Sequence, residues 1–161
     1  MDNLSSTARR AAYWIPAILV GILISLFSTH YFSGEQTARF IVPVLRWIYP
    51  HATPRTLRFL HIGIRKLAHI LEFGGFSISV FHGIRGPRQG WRWNWAVFTL
   101  LIAVAYAALD EWHQSIVPLR EARVRDVFID AYGALVAQTF VWIYSRWQTN
   151  RGTSKITIPS R

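Results

Sequence analysis

Four long apolar segments separated by short polar ones dominate the hydrophobic pattern of the chain. They cover approximately residues 12–33, 59–82, 93–110 and 127–146. Because a helix of about 20 residues crosses the hydrocarbon core of a bilayer, each segment is long enough to span a membrane. The pattern therefore predicts an all-α fold, an integral membrane bundle of four transmembrane helices.

The ends of these segments carry residues that are typical of helix termini and membrane surfaces. Thr53 is suited to cap the second helix and Pro54 to occupy its first position. Trp and Tyr residues, which favour the membrane–water interface, flank the third and fourth segments. Residues 35–50 are amphipathic and interrupted by Pro43, so we expect an interfacial or re-entrant segment there rather than a fifth span.

The chain reads as one membrane domain, residues 11–147, between an N-terminus of residues 1–10 and a basic C-terminal tail of residues 148–161. Arg9 and Arg10 before the first apolar segment would also fit a signal peptide. No convincing small-residue cleavage site follows, so an uncleaved first helix is the preferred interpretation.

Composition strengthens the membrane assignment and limits the choice of partner. The chain is 52% hydrophobic and 16% charged, whereas soluble domains carry about a quarter charged residues. Its formal net charge is +10, with basic residues flanking the apolar segments. This favours membrane lipids and anionic lipid phosphate over nucleic acid as partners. The absence of Cys excludes disulfides and thiolate metal sites.

Polar side chains interrupt the second, third and fourth segments, and each segment shows helical spacing along one face. The faces carry Lys66, His69 and Glu72 on the second helix, Asp110 and Gln114 on the third with Glu111 to one side, and Asp126 and Asp130 on the fourth. With four alternating spans, these three faces lie on the same side of the membrane. Ionisable residues within spans usually mark a functional site, so the spacing predicts a one-sided polar site.

Two stretches, "IRKLAHILEFGGFS" and "LDEWHQSIVPLREARVRDVFIDAYGALVA", resemble the paired motifs of the VanZ-like family. The family pattern runs K-x-x-H-x-x-E-[YF], then D-E-x-x-Q, a Pro-Gly-Arg turn, a downstream Asp and a Gly. The matching positions are Lys66, His69, Glu72, Phe73, Asp110, Glu111, Gln114, Pro118, Arg120, Asp126 and Gly133. The chain departs from the pattern at Leu119, where the family has Gly, and at Asp130, where it has Asn.

The resemblance covers roughly residues 20–146 and implies a multi-pass protein of the bacterial inner membrane that acts in the cell envelope. The founding member of the family is associated with resistance to the glycopeptide teicoplanin. The resemblance implies no particular reaction or substrate, because one fold can serve several functions.

The residue types at the predicted site suit an anionic lipid or an undecaprenyl-linked phosphate. Arg binds phosphate in a bidentate manner and Lys as a point charge, while His beside a carboxylate can act as a general acid or base. The candidate substrate-binding residues are Lys66, Glu72, Gln114, Arg120 and Asp130. The candidate catalytic residues are His69, Asp110, Glu111 and Asp126.

Three other interpretations of the same residues stay open. The site could belong to a non-catalytic module that binds a lipid or an antibiotic. The charges could instead form a structural salt-bridge network that locks the helices together without any catalysis, or they could relay protons in a small carrier. No H-E-x-x-H or comparable ligand spacing occurs in the sequence, so we expect neither a metal nor a cofactor.

The basic residues divide equally between the two sides of such a bundle and do not by themselves orient it. If the site cations are set aside, the positive-inside rule predicts cytoplasmic termini and an extracytoplasmic polar site. The residues set aside are Arg65, Lys66, Arg120, Arg123 and Arg125.

Overall fold

A computed structural model describes residues 2–118 and 122–154, and all regular structure in these ranges is helical. The helices are α1 (Asp2–Ala12), α2 (Ile15–Phe27), α3 (Gly34–Ile48), α4 (Pro54–Arg85), α5 (Trp93–Ile116) and α6 (Val124–Ser154). A short 3₁₀ turn, His30–Phe32, connects α2 to α3. The predicted all-α fold is confirmed.

Four stretches of the described chain are long and apolar enough to cross a membrane: Thr7–Phe27, Pro54–Arg85, Trp93–Ile116 and Val124–Arg151. This agrees with the four predicted spans, but the first one ends earlier than expected. Its helix stops at Phe27 rather than near residue 33, and Ser28 then caps it with a backbone N–H donated to the carbonyl of Ile24. The polar residues after Phe27 therefore lie outside the helix.

The other three long helices extend beyond the apolar segments into polar sequence. Thr53 caps α4 as predicted, since its hydroxyl accepts a hydrogen bond from the Thr56 N–H at 3.2 Å. At 32 residues α4 is about 48 Å long, longer than the hydrocarbon core of about 30 Å. Helix α5 continues to Ile116, and α6 continues through residues 148–154, which the sequence assigned to a tail.

Helix α3 forms an antiparallel hairpin with the first half of α4. Ser33 caps α3 by accepting the Gln36 N–H at 3.4 Å, and the hydroxyl of Thr37 lies 3.1 Å from Nε2 of His61. Pro43 lies inside α3 without breaking it, so the expected interruption at this residue is wrong. Three aromatic side chains on the hairpin, Phe40, Trp47 and Phe59, are 76%, 83% and 76% exposed, which suits a membrane interface.

The bundle is organised around α4, which packs against α2, α3, α5 and α6. Phe73, Phe76 and Val80 of α4 are almost completely buried at its centre. Small side chains surround them on the neighbouring helices, namely Ala17 on α2, Ala103 and Ala107 on α5, and Ala134 on α6. Small residues at these positions allow close approach, which drives helix association within lipid.

A very close contact joins α4 and α6 at two glycines. A Cβ atom on Gly133 would lie 2.9 Å from the Cα of Ile70 and nearer still to the Ile70 carbonyl oxygen, and one on Gly74 would lie 3.5 Å from the Gly133 carbonyl oxygen. One turn further on, Ser77 donates a hydrogen bond to the Ala134 carbonyl at 3.2 Å. No side chain fits between the two backbones at Gly133.

We expect Gly133→Ala to destabilise the bundle, because the added methyl group must push α6 away from the Ile70 backbone. Overpacking of this kind costs about 1–3 kcal/mol, which unfolding in mixed detergent micelles would measure. Gly75→Ala is the matched control, since nothing lies within 4 Å of a Cβ at that position. Equal stability of the two variants would contradict the close contact at Gly133.

Candidate functional site

The polar residues of α3, α4, α5 and α6 meet at one end of the bundle around a cavity of about 460 Å³. Five of the residues predicted for the site border this cavity: Lys66, His69, Gln114, Asp126 and Asp130. The close packing of α4 and α6 at their glycines brings the polar faces of these two helices together. The last turns of α5, with Gln114, form another part of the cavity wall. We call this space the cation-lined cavity.

Four basic side chains border the cavity: Arg65, Lys66, Arg123 and Arg125. Arg65 is half-buried rather than exposed, because the guanidinium lies against Gly34, where any Cβ atom would overlap its Nη1. The N-terminal turn of α3 begins at this glycine, and the N-terminus of α6 lies beside Arg125. Helix N-termini carry partial positive charge and bind anions, so they add to the field of the four cations.

His69 and Asp130 face each other across the contact between α4 and α6. Nδ1 of His69 lies 3.3 Å from Oδ1 of Asp130, and the two side chains are 22% and 2% exposed. Both atoms are buried, and neither has a well-oriented hydrogen bond with the described residues. Asp130 therefore lies against the buried edge of the imidazole ring, whose remaining surface borders the cavity.

Asp110 belongs to a buried hydrogen-bonded group that connects α2 to α5. Ser28 donates its hydroxyl hydrogen to Oδ1 of Asp110, and Gln114 donates from Nε2 to Oδ2 at 2.7 Å. Gln114 Nε2 also lies 3.3 Å from the Ser28 hydroxyl oxygen. Both carboxylate oxygens of Asp110 are thus occupied by neighbouring side chains, and the group fixes the end of α2 against α5.

Glu111 fixes the connection between α5 and α6. It is 8% exposed, and its Oε1 accepts a hydrogen bond from the backbone N–H of Arg123. The backbone N–H of Asp126 in turn donates to the Arg123 carbonyl at 2.7 Å. These contacts position the start of α6, and with it Arg123 and Arg125, at the cavity.

The remaining candidate residues are Glu72 and Arg120. Glu72 borders a smaller neighbouring cavity of about 200 Å³ together with Arg65 and His69. Arg120 and the adjacent Leu119, the position at which the turn motif departs from its family pattern, lie outside the described residues. The contribution predicted for Arg120 stays a prediction.

The ion pairs among the described residues test the alternative that the charges form a structural salt-bridge network. Within residues 2–118 and 122–154, Lys66, Asp110 and Asp126 form no ion pair with another described residue. Among the described residues, the close contact between ionisable side chains of two helices is that of His69 with Asp130. Of the described residues, no three His, Asp or Glu side chains are grouped so that they could hold a metal ion.

Two residues of the site, Gly34 and Ser28, were not singled out by the sequence pattern. Arg65 was counted with the site cations when the orientation was considered, but it was not among the candidate binding residues. Nothing in the sequence indicates that Ser28 pairs with Asp110, because 82 positions separate the two residues.

Comparison with known proteins identifies a family. The model of the VanZ/LLP1 family matches residues 13–145, a range that includes both motifs and most of the four potential spans. No curated protein and no solved structure matches the chain significantly. The family match and the four potential spans lead to the same conclusion: the chain is a multi-pass membrane protein that belongs to the VanZ/LLP1 family.

Proposed function

We propose that the protein binds the phosphate-bearing headgroup of an anionic lipid or lipid-linked cell-wall precursor in the cation-lined cavity. The observation that carries this proposal is the convergence of Arg65, Lys66, Arg123 and Arg125 on one cavity at one end of a membrane bundle. Arg forms bidentate hydrogen bonds with phosphate, and Lys contributes a mobile point charge.

Several acidic residues near the cavity already have partners within the protein, and this supports an anionic ligand. Asp110 accepts hydrogen bonds from Ser28 and Gln114, Asp130 faces His69, and Glu35 is paired with Arg39 at 3.6 Å. These three carboxylates thus have partners other than the cavity cations, whereas Asp126, which also borders the cavity, interacts electrostatically with Arg65. An anion in the cavity would offset the mutual repulsion of the basic side chains and the two helix N-termini.

A second candidate function, acid–base chemistry on the bound lipid, is favoured by the contact between His69 and Asp130. A carboxylate beside one ring nitrogen orients an imidazole, so that the other nitrogen can donate or accept a proton. The exposed part of the His69 ring borders the same cavity as the cations. In this form of the proposal His69 is the acid or base, and Asp130 positions it.

The proton-coupled carrier receives less support from the arrangement of polar residues. A second buried polar group, Ser77 with Gln138 at 2.9 Å, lies deeper in the bundle. Between it and the pair His69–Asp130, Gly74 packs against Gly133, and Phe73 is fully buried beside them. Packed apolar atoms therefore separate the two polar groups along the contact between α4 and α6.

The family resemblance extends the proposal to the bacterial inner membrane, with an extracytoplasmic site and cytoplasmic termini. A protein that binds or modifies a lipid-linked cell-wall precursor there would alter the target available to glycopeptides. An effect on teicoplanin susceptibility is accordingly part of this proposal.

We expect Arg65→Gln to weaken retention of anionic lipid, because one charge-assisted contact is worth about 1.5–3 kcal/mol, or about tenfold to a hundredfold in affinity. Native mass spectrometry of the gently purified protein would measure the retained lipid. Arg58→Gln is the matched control, since Arg58 is exposed on the same helix and borders no cavity described above. Similar lipid retention by Arg65→Gln and Arg58→Gln would contradict the proposed headgroup site.

The variant His69→Gln distinguishes lipid binding from acid–base catalysis on the bound lipid. If His69 is the acid or base, the variant retains the co-purified lipid but no longer releases headgroup or phosphate from it, as followed by phosphorus NMR of the lipid fraction. His113→Gln on α5 borders no cavity described above and should behave like wild type. Unchanged turnover in His69→Gln would exclude the catalytic form of the proposal.

The absence of Cys makes the orientation directly measurable with single introduced cysteines. His51→Cys lies on the exposed turn before α4, and Gln89→Cys lies on the exposed loop between α4 and α5. We expect a membrane-impermeant maleimide to label the first but not the second in intact spheroplasts. The reverse pattern of labelling would place the site on the cytoplasmic side.

A further inference from the structure

A smaller apolar cavity adjoins the cation-lined cavity. It encloses about 200 Å³ between the end of α2, the first turns of α3 and the middle of α4. Its apolar lining consists of Phe27, Phe32, Ile41, Ile64 and Ala68. We call this space the α3–α4 cleft.

The cleft and the cation-lined cavity share part of their lining. Arg65 and His69, one turn apart on α4, border both spaces. A molecule that contacts these two side chains from the polar side therefore lies next to an apolar space on their other side. The pair of cavities has the polarity of an amphiphile, with a charged end and a hydrocarbon end.

The cleft is open to its surroundings rather than sealed. Phe32 and Ile64 on its lining are 43% and 41% exposed. One side of it is formed by α3, the amphipathic helix whose Phe40 and Trp47 are largely exposed and suit the membrane interface. A hydrocarbon chain could thus enter sideways from the lipid phase without passing through water.

The polar groups that border the cleft are already engaged within the protein. The Ser28 hydroxyl donates to Asp110, and the Thr37 hydroxyl donates to the Ser33 carbonyl at 2.9 Å. Glu72 also has an interaction within the chain. Apart from the shared Arg65 and His69, most of the surface left for a ligand is apolar, which favours methylene groups over water.

Another apolar groove lies between α2 and α5, bordered by Trp14, Gly21, Phe76 and Tyr106 among others. None of the four cavity cations borders it. Arg65 forms part of the lining of both the cation-lined cavity and the α3–α4 cleft. A lipid whose phosphate contacts Arg65 therefore lies next to the α3–α4 cleft. The cleft is therefore the better place for the chain of the same lipid.

We propose that the α3–α4 cleft binds the proximal part of a hydrocarbon chain of the lipid whose phosphate occupies the cation-lined cavity. The ligand is then selected as an amphiphile that enters from the bilayer, and a soluble phosphate ester is a poor substitute. This inference rests on the proposed headgroup site, and it adds a chain subsite formed by Ile41, Ile64 and Ala68.

Ala68→Trp tests the subsite by filling the cleft, with Ala108→Trp on the exposed surface of α5 as the matched control. The probes are phosphatidic acid with two long acyl chains, presented in detergent micelles, and glycerol phosphate in solution. We expect Ala68→Trp to lose about tenfold or more in affinity for phosphatidic acid, equivalent to about two buried methylene groups. Its affinity for glycerol phosphate should equal that of wild type and of the control.

A second pair of variants removes apolar surface without adding bulk. Ile64→Ser makes the cleft polar, while Leu71→Ser changes an exposed residue of α4 that borders neither cavity. Ile64→Ser should weaken the binding of phosphatidic acid but not that of glycerol phosphate. Leu71→Ser should leave the affinity for both probes unchanged. A loss of affinity for both probes in Ala68→Trp would indicate damage to the headgroup cavity. In that case the affinities measured with Ile64→Ser decide whether the chain subsite exists.

The outcomes separate this inference from the proposed function. Unchanged affinity for phosphatidic acid in both cleft variants, with Arg65→Gln still weakening both probes, would overturn the chain subsite and leave the headgroup site in place. Binding of neither probe by wild type would overturn both proposals. Selective loss of phosphatidic acid in either cleft variant, with its control unchanged, would support the subsite.

Discussion

The close contact between the α4 and α6 backbones is the constraint on which the rest of the structure depends. Lipid is as apolar as a leucine side chain, so helices in a bilayer associate through tight packing and hydrogen bonds rather than through hydrophobic burial. Gly133 provides that packing by letting α6 approach the carbonyl of Ile70. The same contact places Asp130, one turn before Gly133, against His69, the neighbour of Ile70.

Local hydrogen bonding explains how so many charges can be accommodated at the end of a membrane bundle. Burying a carboxylate is costly unless it is paired or hydrogen-bonded. Asp110 has the Ser28 hydroxyl and the Gln114 amide, and Glu111 has the Arg123 backbone N–H. These acids are satisfied by neutral donors rather than by the basic side chains that border the cavity.

The hairpin of α3 and the first half of α4 relates the site to the bilayer. Its contacts are short and specific, from Arg65 at Gly34 to the hydrogen bond between Thr37 and His61. The exposed aromatic residues on its outer surface suit the interfacial region, where headgroups and the first methylene groups of lipid chains meet. A site bordered by such a hairpin faces polar and apolar surroundings at once, in keeping with the amphiphilic ligand proposed above.

The sequence by itself determined the class of fold, the number of spans, and the polar residues that each helix contributes. Hydropathy and helical periodicity are local properties, and local spacing sufficed to place Lys66 with His69 and Asp126 with Asp130 on common faces. Only the tertiary structure decided which of these side chains meet. It paired Asp130 with His69, turned Arg65 inward beside Gly34, and joined Ser28 to Asp110 across 82 positions. Such contacts depend on how helices pack and cross, and no periodicity within a single helix encodes the position of a residue on another.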